Sequence, residues 1–313
     1  MNTTSRLAVT LSCWAALAAP AAGLTIEARE LAPGVHVHAG LLEEWGPANA
    51  GNVANLGFVV GARCVAVIDS GGSAAVGQAL RAAVRSATQR PVCFVINTHA
   101  HPDHVLGNAA FRGAGIDGAD PEFIGHARLP AALAARGPYY LNALRRDFGA
   151  AGVGGEIVTP ARTVVDRLEL DLGDRRLLLQ AWPTAHTDAD LTVLDPHSGT
   201  LFAGDLLFVA HLPALDGKLL GWLAVMDRLA LLPVRLAVPG HGAPSTDWPG
   251  VMAPQRAYLE RLRDGVRAAI RRDQSLSQTV NQLGEQGIEG WQLTDRFHRR
   301  NVTAAFAELE WTD

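Results

Sequence analysis

The stretch His99-Ala100-His101-Pro102-Asp103-His104 constrains this chain more than any other. It sets three histidines and a carboxylate in six consecutive positions, in the pattern H-x-H-x-D-H. Just before it, Val92-Cys93-Phe94-Val95-Ile96 is an apolar, β-branched run that predicts a buried strand. That strand ends at Asn97-Thr98, so the polar residues occupy the loop at its C-terminal end, where layered α/β folds carry function. His99 and His101 are two apart in extended chain, so both rings can face one ion. Asp103 and His104 follow across a turn and can face a second. Imidazole and carboxylate suit zinc, and also iron or manganese. A polar loop that only caps the next helix explains one histidine but not this density of ligand-type residues.

With 313 residues the chain can bury a full core, as one large domain or two small ones. The net charge of -4 leaves no basic footprint, which excludes nucleic acid as an expected partner. Beyond the N-terminus no apolar run is long enough to span a membrane. Met1 to Arg6 carries one positive charge, Leu7 to Ala19 is apolar, and Ala19-Pro20-Ala21-Ala22 offers small residues for cleavage after Ala21 or Ala22. Residues 1–22 therefore read as a secretory signal peptide, too short and wrongly flanked for a span. The expected mature chain is 23–313. Without Cys13 of the signal, Cys64 and Cys93 remain. Each lies in an apolar strand pattern and reads as a core residue. If those strands are neighbours, an oxidising compartment permits a bridge.

In chain order, residues 31–40 read as an early strand around a Pro-Gly turn, with His36 and His38 as strand-surface residues rather than ligands. Leu41 to Ala50 reads as a loop with Trp45 beside a substrate groove. Residues 52–60 and 64–69 predict a hairpin, and Ala74 to Thr88 a helix. This helix makes a β-α-β crossover, so strands 64–69 and 92–97 should be parallel. Asp69 then ends its strand beside His99, either as a carboxylate orienting a ligand imidazole or as a turn cap. Arg128 to Phe148 is helical in pattern, with a kink or split expected at Gly137-Pro138. Residues 163–171, 175–182, 191–194, 200–203 and 236–238 predict strands. Between them His186 lies in a loop, Asp205 follows Gly204 at a strand end, and Gly240-His241-Gly242 follows another. Taken singly, His186 reads as a surface histidine and Asp205 as a helix cap. Pro254 to Asp273 and Val302 to Leu309 predict helices, within a helical C-terminal portion over about 250–313. Strand-rich segments at about 31–126 and 163–241 suggest an internal structural duplication.

Together, the H-x-H-x-D-H stretch, His186, Gly204-Asp205 and Gly240-His241-Gly242 resemble the metallo-β-lactamase fold superfamily in order and spacing. The resemblance implies a four-layer αββα sandwich of α/β (α+β) class, with extra C-terminal helices. It implies one zinc on His99, His101 and His186, a second on Asp103, His104 and His241, and Asp205 bridging them. Stretches such as NTHAHPDHVLGNAAF, PTAHTDADLTVLD, LDGKLLGWL and NVTAAFAELEW resemble the quinoprotein-relay zinc metallohydrolases. That group implies an exported, periplasmic protein associated with a quinoprotein dehydrogenase system. An aspartate at position 205 is similar to the glyoxalase-II and lactonase type and departs from the true β-lactamase branches, so β-lactamase activity is expected to be weak.

The implied function is a binuclear zinc hydrolase of small-molecule esters, thioesters, lactones or related bonds. A metal-bridging hydroxide would attack, with Asp103 and Asp205 holding it and the metal spacing. Trp45, Tyr139, Tyr140 and His211 are candidate groove residues. Two alternatives remain at this stage. One is a mononuclear iron enzyme that oxidises sulfur. The other is a non-catalytic accessory protein of a periplasmic quinoprotein.

Overall fold

The computed structural model describes residues 24–312; the expected signal peptide at 1–22 lies outside them. Among the described residues, twelve strands form two sheets. The first holds β1 (Arg29–Ala32), β2 (Val35–His38), β3 (Leu56–Val60), β4 (Val65–Ile68), β5 (Val92–Ile96), β6 (Glu122–His126) and β7 (Arg162–Val164), side by side in that order. The second holds β8 (Arg167–Asp171), β9 (Arg176–Ala181), β10 (Leu191–Asp195), β11 (Thr200–Phe208) and β12 (Leu236–His241). Seven helices accompany them: α1 (Ala74–Ala87), α2 (Pro102–Val105), α3 (Leu129–Asp147), α4 (Leu219–Leu229), α5 (Ala253–Arg271), α6 (Leu276–Leu283) and α7 (Thr294–Leu309).

The layering follows from which faces are apolar. Val35, Val37, Ala66, Ile68 and Ile96 of the first sheet pack against Leu177, Leu179, Val193 and Phe202 of the second. Gly57 makes room for Phe202 there, since a Cβ on it would stand 2.2 Å from the ring. Alternate residues of the same strands, Phe58, Val65, Val67 and Val95, point the other way and pack under Val76, Leu80 and Val84 of α1. On the far face of the second sheet, Leu201 and Leu207 meet Trp222 and Met226 of α4, Tyr258 and Leu259 of α5 and Val302 of α7. The result is the αββα sandwich with additional C-terminal helices. Ser73 starts α1, its hydroxyl accepting from the Val76 amide at 3.3 Å.

β4 and β5 are parallel, joined through α1, as the β-α-β pattern requires. Cys64, one residue before β4, is disulfide-bonded to Cys93 in β5. Two expectations need correction, and a third, the kink or split of α3, is narrowed. Residues 163–171 are not one strand: β7 ends at Val164 in the first sheet, and β8 begins at Arg167 in the second. Strand β11 does not end before Asp205 but runs on to Phe208, with its register against β12 shifted on both sides of Gly204. Helix α3 is not split at Gly137-Pro138. Proline removes one backbone donor, but buried Leu133, Tyr140 and Leu144 on either side hold the helix together.

An ion pair fastens the ends of the two sheets. Arg175, at the turn before β9, donates to both carboxylate oxygens of Asp195 at the end of β10. It also donates to the Pro33 carbonyl at 2.8 Å, in the turn between β1 and β2, and to the Val60 carbonyl at 3.3 Å, in β3. Burial pushes the Asp195 carboxyl up, but bonds from Arg175 and Ser198 outweigh it and hold it below its ordinary value. This stabilisation is present above the ordinary carboxylate pKa and is lost as pH falls through the depressed one. Replacing Arg175 with Met leaves a buried carboxylate unpaired. The expected loss is about 3–5 kcal/mol, read as a lower urea midpoint at pH 7, with a smaller difference from wild type at pH 3. An unchanged midpoint at pH 7 contradicts this role.

Candidate metal centre

The C-terminal ends of β4 and β5 build the first part of the site. Asp69 follows β4 with φ +57°, a left-handed conformation that aspartate tolerates better than most residues. Its carboxylate accepts from the Thr98 amide and hydroxyl, each at 2.8 Å, and from His104 Nδ1 at 2.8 Å. Of the two roles open to Asp69, the structure shows the orienting one. Pro102 starts the single turn of α2, a position that needs no backbone donor. That turn places Asp103 and His104 one after the other, with Asn97 and Ser70 both donating to the His104 carbonyl.

The second sheet supplies the rest. His186 sits in the loop between β9 and β10, and Asp205 in β11. His241 ends β12. Close backbone approach is built into this half. A Cβ on Gly240 would lie 1.8 Å from Asp205 Oδ1, one on Gly217 2.3 Å from the Ala185 carbonyl, and one on Gly221 2.1 Å from the Thr184 carbonyl. Gly204, with φ +53°, faces Thr98 across the gap between the sheets. Gly204 lets the two sheets approach each other, and the other three let segments of this half pack closely.

All seven ligand candidates read from the sequence meet at this edge. They fall into two groups of mutually close donor atoms, His99, His101, His186 and Asp205, and Asp103, His104 and His241. Asp205 Oδ2 lies 3.6 Å from His99 Nε2, 3.4 Å from His186 Nε2 and 3.4 Å from His241 Nε2. Its Oδ1 lies 3.2 Å from His104 Nε2. Asp103 Oδ2 stands 3.3 Å from His241 Nε2 and 3.6 Å from His104 Nε2. Two ligands about 2.1 Å from one tetrahedral ion stand about 3.4 Å apart, which is the spacing seen here. His99 Nε2, His104 Nε2 and Asp205 Oδ1 are buried with no hydrogen-bond partner among the described residues. Orphaned lone pairs of this kind are costly unless something positive satisfies them. The donor set therefore fits divalent cations.

Each ring is oriented by its other nitrogen. His104 Nδ1 is held by Asp69, His186 Nδ1 by the Ala214 carbonyl at 2.6 Å, and His241 Nδ1 by the Val53 carbonyl at 3.0 Å. These bonds turn Nε2 of all three rings inward as a lone pair. His101 is reversed. Its Nε2 lies 2.9 Å from Asp216 Oδ2, and its Nδ1 faces inward, 3.1 Å from His186 Nε2. The electrostatics differ across the cluster: burial holds His99 well below its ordinary value and His186 at about 3, whereas carboxylates favour positive charge at His104 and His241. Burial works against a charged His104, yet Asp205, Asp69 and Asp103 raise its pKa well above the ordinary value. Burial likewise opposes a charged His241, and Asp205 and Asp103 outweigh it and bring it to about 9.

Beside the donor atoms opens a cavity of about 510 Å³. All four groove candidates, Trp45, Tyr139, Tyr140 and His211, line it. Trp45 is not the exposed loop residue its context suggested. Its indole nitrogen donates to the Gly72 carbonyl at 2.9 Å and its ring packs on Phe148. His36 stacks on Phe58 away from the site. His38 is buried rather than on the strand surface, bonded to the Glu27 carbonyl and Asn52. Sequence reading gave no role to Asp216 or Asn301. Asn301 of α7 accepts from the Leu215 amide and donates to the Pro213 carbonyl, bracing the segment whose Ala214 carbonyl holds His186. The only sequence signals were an Asp-Gly pair in an otherwise apolar stretch and an asparagine inside an apolar helix face.

Comparison with known proteins agrees with this geometry. Among solved structures the chain is similar to a double mutant of the sec-alkyl sulfatase PisA1, with TM-score 0.66, 16% identity, and 91% of this chain and 50% of that one covered. It thus spans about half the length of that sulfatase. It is also similar to the metallo-beta-lactamase from Pontibacter korlensis, with TM-score 0.60, 18% identity, and 75% of this chain and 99% of that one covered. A third likeness is to TMB-1, with TM-score 0.58, 20% identity, and coverage of 76% and 98%. At these identities the likeness is one of fold. Comparison with curated proteins finds no match. The sequence model of the metallo-beta-lactamase superfamily matches residues 50–241, which hold the whole donor cluster, and the chain belongs to that superfamily.

Proposed function

We propose that the chain is an exported, binuclear zinc-dependent hydrolase of small molecules. The observation that carries this reading is the pair of complete donor groups around Asp205, with three of their atoms buried and unpartnered. His99, His101 and His186 would hold one ion, and Asp103, His104 and His241 the other, with Asp205 shared. Two zinc ions there would lower the pKa of a water and polarise the scissile group of an ester, thioester, lactone or related bond.

The chain's own residues set the geometry for that chemistry. Asp205, facing imidazoles from both groups, fixes the separation of the two positions. Asp69 holds His104 in the tautomer that leaves Nε2 unprotonated, and Asp216 does the same for His101 with the ring reversed. Trp45, Tyr139, Tyr140 and His211 shape the cavity in which the substrate lies. The completeness of the second group favours two ions over a single iron, since sulfur oxidation at one iron leaves Asp103, His104 and His241 without a task. The disulfide between Cys64 and Cys93 supports an oxidising compartment, the periplasm. A quinoprotein dehydrogenase system is the partner we propose there, on the strength of the sequence resemblance.

Asp205→Ala is expected to lose one zinc per chain and most turnover; unchanged zinc content and rate contradict the shared role. Asp69→Ala should weaken zinc binding about 10- to 100-fold in chelator competition, with the fold kept by circular dichroism; unaltered affinity would show that Asp69 does not act through His104. The zinc-loaded protein, assayed on ester, thioester, lactone, sulfate-ester and β-lactam substrates, is expected to hydrolyse at least one in a chelator-sensitive, zinc-restored manner. Failure on all of them, with oxygen uptake on a persulfide, overturns the hydrolase reading.

A further inference from the structure

The cavity carries information about what it holds. Three arginines line it, Arg136 on α3 and Arg296 and Arg300 on α7. Two are committed. Arg136 donates to Asp216 Oδ2 at 2.9 Å, and Arg296 pairs with Glu44 at 3.2 Å. Arg300 has no hydrogen bond among the described residues; its one ionic contact is Asp216 Oδ1 at 3.9 Å. Asp216 already serves His101 and Arg136 through its other oxygen. Of the other acids on the lining, Asp103 and Asp205 belong to the donor cluster, Glu44 pairs with Arg296, and Glu43 accepts from the Asn49 amide and has no ion pair among the described residues. The Arg300 side chain, 59% exposed, therefore borders the cavity with no hydrogen bond to the protein among the described residues, one carboxylate away from His101.

Much of the remaining lining is aromatic. Trp45, Tyr139 and Tyr140 come from the loop after β2 and from α3, and Phe208 and Phe297 from β11 and α7. Tyr139 is 71% exposed, and Trp45, packed on Phe148, is anchored by its indole nitrogen, so both rings border the cavity. Aromatic faces favour planar ligands, and a guanidinium with free donors favours an oxyanion.

We infer that the substrate is an anionic aromatic or similarly planar small molecule, whose oxyanion is held by Arg300 while its body lies against the aromatic lining. This deepens the reading of the cavity as the substrate site. Arg300 acts here as a specificity residue. It belongs to the C-terminal helices, outside the matched segment 50–241.

The test is a binding measurement that requires no turnover. Naphthalene-2-sulfonate is the anionic probe, because sulfonate is a poor zinc ligand, and methyl 2-naphthyl sulfone is its neutral counterpart. Both are titrated by calorimetry into the zinc-loaded full chain. The anion is expected to bind more tightly than the sulfone. Arg300→Met should weaken the anion about 10- to 100-fold and move the sulfone less than threefold, with zinc content unchanged. Arg300→Lys should restore part of the anion's affinity. Equal affinity for the two probes, equal losses in Arg300→Met, or an anion affinity indifferent to Arg300 each overturn the inference. Because no bond is broken, a protein that hydrolyses nothing can still pass this test, and an active hydrolase can fail it.

Discussion

The carboxylate of Asp205 is buried among four imidazoles drawn from two sheets, and the architecture of the site depends on making that convergence tolerable. Inside a protein, unpartnered lone pairs cost several kcal/mol unless a charge of opposite sign satisfies them. The chain accepts this strain at one edge of the sandwich and secures it from outside. Asp69 ties β4 to both Thr98 and His104. Gly240 clears the space the carboxylate occupies. Each imidazole is fixed through its outward nitrogen, so the donor atoms face one another without freedom to turn away.

The outer layers extend this bracing. Asp216 Oδ2 meets both His101 and Arg136 of α3, and its Oδ1 faces Arg300 of α7, so the cavity wall and the donor cluster share a residue. Asn301 steadies the segment 213–215, and Glu308 accepts from the first amides of α4, which abuts the His186 loop. The C-terminal helices are thus part of how the site is held. They also supply Arg296, Arg300 and Phe297 to the cavity.

How much of this could be read from the sequence depended on how local each signal was. The H-x-H-x-D-H loop was legible because strand, loop and ligand types are contiguous. The β-α-β crossover over 64–97 was legible for the same reason. His186 and Asp205 were bland singly and became legible only in company with the other motifs. Asp216 was not legible, because its partner His101 lies 115 residues away and nothing local marks it. The division of residues 163–171 between two sheets was hidden, since alternation predicts a strand but not the sheet it joins. The continuity of α3 through Pro138 was hidden too, because buried packing overrides a local breaker. Gly204 and Gly240 both serve close approach, Gly204 to Thr98 of the other sheet and Gly240 to Asp205 of the neighbouring strand, and neither partner is marked locally.

The central claim is that this buried cluster holds two metal ions. Counting zinc and iron together per chain by inductively coupled plasma mass spectrometry, on protein isolated without added metal or chelator, tests it most directly. The account predicts about two zinc ions per chain. One iron per chain, or no stoichiometric metal in a folded protein, would contradict it.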